Sequence, residues 1–589
     1  MPICIALGMT LRLNVCSAFQ RSKAVPNKHT PDTTHELHDD SEKFNFQPGT
    51  ISRRSFLAAT ASVAAAGCTN ADERVAAAEV TAAERKASAP KAPFDTLREY
   101  VAAIEAHGLL LRFDKVDQDA YEGTAIVYAL IDKYGWYDAP AVLFENVKQD
   151  GQWIKGPLLI NQMGHWDTEC ITFGLEPVKG NSRESYRKAL AYMRGLLVNG
   201  KYPVIAPVEV SNEQALCKQV IETGDDIDIT KFAFIKSNPA DGGRYINTGS
   251  VFTSDPDMGV NFGTYRCQIR GPKILGINPE PNQTGWKMLM AAKERGDKIA
   301  KISIAVGQDP YVWLISGSRI APRFGPKVTP IDEFEIAGGI RGKAIETVKS
   351  ETNDLMVPAN CEMIIEGEVP LQEKMLPEGP FGEMYGYLGP IKEENFWMNI
   401  TAITYRKDPW LMNVFTGATR GYTTAPVASL YNERFSKMIP GLVEINQAVD
   451  TTGLCFVRIK KTEPGQGLKV GKRLASIVPL YKMTIVVDED VDILNWYEVG
   501  LAIGSRYTPA TATEIFSGRG MPLDPSSSEH RYESSKIIID ATRQWPEEGG
   551  PKDFPILNRV LLEELAPDAF DIAMGNWGDV INSWGKTRY

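Results

Sequence analysis

At 589 residues, with 43% hydrophobic and 23% charged residues, the chain has an ordinary globular composition and the length of roughly three to four domains. A formal net charge of −10 leaves no basic excess to neutralise phosphates, which excludes a general nucleic-acid binder. Eight cysteines without one CxxC pair exclude a disulfide framework and a structural zinc site.

The first 68 residues read as a leader. Met1–Gly49 is polar and irregular, and Ser52-Arg53-Arg54-Ser55-Phe56-Leu57 then precedes the alanine-rich run Ala58–Gly67 and Cys68. Paired arginines before a short, weakly apolar run resemble a twin-arginine export signal. The run is too short for a bilayer, which takes about 20 residues. Ala65-Ala66-Gly67-Cys68 reads either as a lipobox, making Cys68 a lipid-anchored N-terminus, or as part of an A-x-A cleavage site. Such signals sit near the start of a chain, so the functional start is expected downstream of Met1. Export by this route puts the mature protein in the periplasm, and without it the protein stays cytoplasmic. Residues 69–93, rich in Ala, Glu and Lys, read as a linker.

Asp95 or Thr96 can cap a helix that carries Leu97, Val101 and Ile104 on one face, with Gly108 just past its end. Leu109–Phe113 then reads as a strand, Thr124–Tyr134 as a helix and Ala141–Phe144 as a buried strand, an alternation that predicts an α/β domain over 94–205. Over 206–410, β-branched and aromatic runs recur between Gly/Pro turns: Ile246–Thr253, Lys301–Val306, Tyr311–Ile315, Cys361–Val369 and Asn399–Tyr405. These predict strands of a β-barrel or sandwich. Val427–Ile439 reads as a connecting helix within 411–450. Leu454–Ile459, Met483–Val487 and the helical Trp496–Ile503 predict a second α/β domain over 451–589, with an arm or docking segment after Asp568. After the linker no stretch has the length and apolarity of a membrane helix.

Cys170, Cys217, Cys267, Cys361 and Cys455 are scattered and read as buried thiols. Only His107, His165 and His530 follow the leader, and none sits in a triad motif, so carboxylates, arginine or a cofactor must carry any chemistry. In Asn261-Phe262-Gly263-Thr264-Tyr265-Arg266, the asparagine offers a hard neutral metal ligand and the arginine a fork for carboxylate or phosphate. Residues five apart on an ideal strand face opposite sides, so a shared pocket requires a bulge, expected at Gly263. Pro377-Glu378-Gly379-Pro380-Phe381-Gly382-Glu383 holds two carboxylates in a loop that cannot be regular helix or strand, and crowding pushes one pKa upward. Glu333, in an acidic cluster before Ala337–Gly342, can supply an anionic oxygen. Gly465–Lys472 lacks the glycine spacing of a P-loop, and Asp488–Asp492 lacks the glycine and closing glutamate of an EF-hand. The latter reads as the polar end of the Met483–Val487 strand.

Asn261–Arg266, Glu333 with Gly338–Gly342, Val357-Pro358-Ala359, Glu362–Gly367, the PEGPFGE loop and Ile485–Asp492 together resemble the UbiD-like family of prenylated-flavin-dependent decarboxylases, from about Phe94 to the C-terminus. The resemblance implies an N-terminal α/β domain, a central split β-barrel of flavin-reductase-like type holding cofactor and metal, a connecting helix and a C-terminal α/β domain. It implies reversible, non-oxidative decarboxylation of an aromatic or α,β-unsaturated acid, with Arg266, Glu378 and Glu383 as the catalytic set. Asn261 and Glu333 then match the ligands of a divalent cation, usually Mn²⁺, with K⁺ as a further candidate ion. Prenylated FMN is expected against Thr264, Tyr265, Arg266, Gln283, Thr284 and Lys482. Where the family often has a histidine ligand, Asn278–Trp286 has none, and Gln283, Thr284 or water is left to fill the place. The loop from Ser316 to Lys327 also looks longer than usual for the family. A homo-oligomer, a flavin prenyltransferase as cofactor supplier and the twin-arginine machinery follow as partners. Competing readings are a non-catalytic flavin-binding protein of the same fold and a hydrolase or metal-dependent lyase without flavin.

Overall fold

The computed structural model describes residues 88–318, 320, 332–526 and 532–583. The leader with Arg53, Arg54 and Cys68, most of the linker, most of the Ser316–Lys327 loop and His530 lie outside them. The first helix is set by its cap: Thr96 accepts from Glu99 N while the Glu99 carboxylate accepts from Thr96 N, a capping box that opens helix α1 (Leu97–Ala106). Leu97, Val101 and Ile104 are buried as the 3.6-residue period demands. Strands β1 (Leu110–Phe113), β2 (Ala141–Gln149) and β3 (Gln152–Ile160) follow, β1 parallel and β3 antiparallel to β2. This sheet is completed from far along the chain, by Leu411–Asn413 running parallel to β3.

The central sheet contains β4 (Ser250–Asp255), β5 (Gly259–Thr264), β6 (Arg266–Ile269), β7 (Ile274–Asn278), β8 (Ile299–Val306), β9 (Met363–Pro370), β10 (Leu376–Glu378) and β11 (Lys392–Tyr405). Its spatial order is Tyr245–Ile246, β6, β7, β11, β9, β8, β4, β5, all pairs antiparallel, with β10 also on β11. β5 and β6 are separated in sequence by Tyr265 alone, yet stand near opposite ends of this order. A sheet with that connectivity must curl until its ends approach, which makes a half-barrel. Alternation along the strands fills its interior with Val251, Ile277, Ile304, Ile365, Met398 and Ile403.

Four expectations are corrected. The Pro377–Glu383 loop does contain strand: β10 pairs with β11 and Phe381–Gly382 pairs with Leu388–Gly389, because Pro377 sits where the β10–β11 register shifts and no ladder N–H is needed. Tyr311–Ile315 is not a strand but part of a helix, Pro310–Gly317, because Asp309 accepts from Tyr311 N and Val312 N and Pro310 presets its first turn. Ile246–Thr253 is two strands, since Asn247 and Thr248 turn their side chains to the carbonyls of Val414 and Met412. No bulge occurs at Gly263, which pairs in register with Val251; the strand instead breaks at Tyr265. A Cβ on Gly263 would stand 3.0 Å from the Tyr265 hydroxyl, so the glycine gives that buried ring its room.

Helix α2 (Thr284–Arg295) follows β7, and α3 (Glu333–Arg341) precedes the strand pair Glu346–Lys349 and Met356–Pro358. Helix α4 (Ala425–Met438) leads to a five-stranded sheet in the order Leu442–Gln447, Leu454–Ile459, Met483–Asp488, Glu533–Asp540, Thr513–Arg519. The acidic run after it is taken up by arginines: Arg506 bonds Asp488 and Asp490, and Arg187, from the helix Ser182–Gly195, bonds Asp492. Gly465 begins the helix Gln466–Ile477, and Lys472 there pairs with Glu514. The five cysteines described are free and buried, and no described helix is long and apolar enough to cross a membrane.

Candidate active site

Arg266 opens β6 directly opposite Asn278 of β7, and Glu378 closes β10 directly opposite Lys392 of β11. Directly opposed residues on antiparallel strands share a face, and the Arg266–Glu378 and Lys392–Asn278 hydrogen bonds join the two pairs. Arg266 donates from Nε to Glu378 Oε1 (2.9 Å) and from Nη2 to Glu378 Oε2 (2.8 Å), the bidentate geometry that fixes a guanidinium in plane and register. Its Nη1 donates to Glu383, and its Cζ stands 4.8 Å from the Phe381 ring centre. The side chains of Arg266, Glu378 and Glu383 are 9%, 0% and 10% exposed, so the cluster is a buried charge set rather than an acidic surface turn.

The loop carrying the two glutamates is held from beneath by Asn238–Gly242. Asp241 accepts from Gly382 N (2.9 Å), and Gly242 N donates to Pro380 O (2.7 Å). A Cβ at Gly242 would fall 2.2 Å from the Gly379 carbonyl oxygen, so no other residue allows this approach. Burial pushes the Glu383 carboxyl above the usual carboxylate range, against the opposing pull of Arg266, and burial likewise raises Asp241. For Arg266, burial works against the charge, but the bonds to Glu378 and the nearby Glu383 outweigh it and hold the guanidinium charged.

Asn261 on β5 and Glu333 at the start of α3 are both buried, 6% and 7% exposed. Their neighbours Phe262 and Phe334 pack ring to ring at 4.9 Å, which brings the two elements together. Asn261 Nδ2 reaches the Tyr265 hydroxyl at 3.5 Å, which puts the amide oxygen on the other side of the group. Among the described residues no three His, Cys, Asp or Glu converge on a metal site. A neutral and an anionic oxygen nevertheless suit a hard divalent cation that completes its shell with water and phosphate. Gln283 Oε1 accepts from Glu280 N (2.6 Å) in the turn before α2. Thr284 begins that helix, whose Gly285 N donates to the Tyr265 hydroxyl (3.1 Å). Thr264 Oγ1 meets Ser316 Oγ at 2.9 Å.

Lys482 and Tyr385, two residues past the acid loop, both flank Gly453. The Lys482 ammonium bonds both Asp524 oxygens (3.0 and 2.9 Å) and Ser526. Sequence reasoning missed that pairing and also missed Asp241, Asn278, Glu280 and Lys392. Of these, Lys392 donates to Asn278 Oδ1 (2.7 Å) and to Glu280 beside the Arg266–Glu378–Glu383 cluster. Strand pairing brings Asn278 and Lys392 to the cluster, and contacts from the neighbouring turns bring Asp241 and Glu280.

Known proteins share this fold. Residues 208–419 match the 3-octaprenyl-4-hydroxybenzoate carboxy-lyase Rift-related domain, and residues 422–541 match the C-terminal domain of the same family. An uncharacterized protein of Aquifex aeolicus is 32% identical over 481 residues, covering 78% of this chain and 94% of its own. Among solved structures, the open form of the Sedimentibacter hydroxybenzoicus vanillic acid decarboxylase superposes with a TM-score of 0.67 at 26% identity, covering 83% of this chain and 100% of that one. The UbiD-class enzyme HmfF of Pelotomaculum thermopropionicum, in complex with FMN, gives 0.65 at 25% identity, covering 79% and 97%. With both domains matched in order and relatives aligned over nearly their full length, this chain belongs to the UbiD family.

Proposed function

We propose that the protein is a carboxy-lyase that reversibly and non-oxidatively removes CO₂ from an aromatic or α,β-unsaturated carboxylic acid, using prenylated FMN and a divalent metal. The observation that carries this reading is the buried Arg266–Glu378–Glu383 cluster. One cation facing two carboxylates leaves the set one negative charge in excess, and an anionic substrate adds another. Entry therefore requires that one carboxyl take up a proton, and Glu383, raised by burial, suits that role. Arg266 then offers its fork to the substrate carboxylate while Glu378 keeps the guanidinium in place. Glu383 gives its proton to the carbon from which CO₂ has left, a general-acid role worth about 10²–10⁴-fold. The bound flavin supplies the electron sink that loss of CO₂ from an sp² carbon needs. Asn261 and Glu333 would hold the metal, and Thr264, Tyr265, Gln283, Thr284 and Lys482 are the proposed cofactor contacts.

Co-production with a flavin prenyltransferase, the proposed cofactor supplier, tests the reading. The protein is expected to carry near-UV or visible absorbance and to release CO₂ from a member of a panel of aromatic and unsaturated acids. Glu383→Gln is expected to keep the absorbance and lose turnover. A fully active variant removes the acid assignment, and a coloured protein inert on every acid favours a flavin carrier. Self-association through the C-terminal region belongs to the same proposal. The helices Asn558–Leu565 and Ala569–Ser583 present Leu565, Ile572 and Trp577 to solvent at 79%, 60% and 62% exposure, and such apolar surface suits a second copy of the chain. Export through the twin-arginine machinery is proposed from Ser52–Leu57 alone.

A further inference from the structure

The most developed cluster that the proposed chemistry leaves unused lies beside Arg266 on the same sheet face. Lys392 Nζ donates to Asn278 Oδ1 (2.7 Å) and to Glu280. Asn395 Nδ2 donates to the same Asn278 oxygen (2.6 Å), and Asn395 Oδ1 accepts from Phe396 N (2.9 Å). Asn278 and Asn395 are 5% and 1% exposed, so they form a fixed footing, while the Lys392 and Glu280 side chains remain 18% and 20% exposed. Two of the three ammonium N–H bonds are spent within this cluster, and the third remains for a ligand. The strand pairs that place Arg266 beside Asn278 and Glu378 beside Lys392 put this platform next to the carboxylate-binding guanidinium. Glu383 feels both the positive charge of Lys392 and the negative charge of Glu280, as adjacency requires. A bare hydrocarbon ring would gain nothing from a largely buried ion pair beside it, and holding one there carries a solvation cost.

We propose that Lys392 and Glu280 form the specificity element of this site. They would read a hydroxyl on the acid, while Arg266 holds the carboxylate that is lost. The inference rests on the decarboxylase reading but concerns which acid is taken rather than whether one is. A site with a placed donor and acceptor discriminates strongly against a ligand lacking the matching group, because its own polar atoms are then left unpaired.

The test is calorimetric binding to the full chain loaded with FMN, which needs no turnover, using benzoate and its 3- and 4-hydroxylated forms. At least one hydroxylated acid is expected to bind about ten- to a hundredfold tighter than benzoate. Lys392→Met is expected to reduce that ratio to within about twofold. Glu280→Gln, which preserves volume and the strand register, is expected to reduce it at least severalfold, and serves where the lysine variant does not fold. A wild-type ratio near one, or a ratio that survives both substitutions, overturns the specificity element while leaving decarboxylation intact. Failure of every acid to bind, with Arg266→Met making no difference, overturns the functional reading and this inference together.

Discussion

Replacing Arg266 by methionine removes the one cation that Glu378 and Glu383 share, and the structure sets the size of the effect. An ion pair about 4 Å apart at an effective dielectric of about 20 is worth about 4 kcal/mol, and Arg266 makes two. The variant cannot keep two buried, unpaired carboxylates, so one takes up a proton. From a solution pKa of about 4.3, neutralising a carboxyl costs about 5 kcal/mol at pH 8 but about 1 kcal/mol at pH 5, at 1.36 kcal/mol per unit. The sign follows from proton counting: folded variant holds a proton that its unfolded chain lacks above pH 4.3, so its stability falls as pH rises. Relative to wild type, Arg266→Met is therefore expected to be about 3–5 kcal/mol less stable at pH 8 and to regain most of that by pH 5. Paired urea denaturation curves at the two pH values measure the difference. A deficit below about 1 kcal/mol at pH 8, or one indifferent to pH, refutes the claim that the arginine neutralises a buried carboxylate pair.

Other outcomes follow from the same groups. Because Glu383 must be protonated to act as the acid and its carboxyl is raised, kcat is expected to fall on the alkaline side of a limb above the ordinary carboxylate range; a profile flat from pH 5 to 9 speaks against the assignment. Asp524→Asn frees the Lys482 ammonium, so FMN affinity by fluorescence quenching is expected to rise about three- to tenfold at low salt, less at high salt; unchanged affinity removes Lys482 from the cofactor contacts. Exchanging Arg53 and Arg54 for lysine is expected to leave active protein inside the cell, measured by fractionation, and an unaltered distribution discards the export reading.

Local signals in the sequence were read correctly where they are self-sufficient. The helix from Leu97 and its buried face were legible, with the cap left between Asp95 and Thr96 until the Glu99 bonds gave it to Thr96, and the strands at Leu454–Ile459 and Met483–Asp488 follow from β-branched runs bounded by turns. Pro310–Gly317 was not legible as a helix because all of Pro310–Ser316 is buried, which erases the one-sided periodicity that separates helix from strand. The break after Ile246 is non-local in origin, since the carbonyls that Asn247 and Thr248 bond belong to residues more than 160 positions away. The Leu411–Asn413 strand likewise owes its place to β3, not to its own three residues.

The candidate site divides along the same line. Arg266, Glu378 and Glu383 were found through motifs, and their convergence needs only that β6 and the acid loop reach one corner of the curled sheet. The parity argument about Asn261 and Arg266 correctly demanded an interruption but placed it on the wrong residue. A glycine there already has a task, making room for a ring, while Tyr265 can leave both strands because its hydroxyl is held by Gly285 N. Lys392 and Glu280 were invisible for a different reason: neither lies in a motif, and their meeting depends on the register of β7 against β11. Motifs record the chemistry that a family shares, whereas wall residues contributed by strand register distinguish its members. A substitution at Lys392 should therefore move substrate preference, where one at Glu383 ends turnover, and comparing those two phenotypes separates recognition from chemistry in this site.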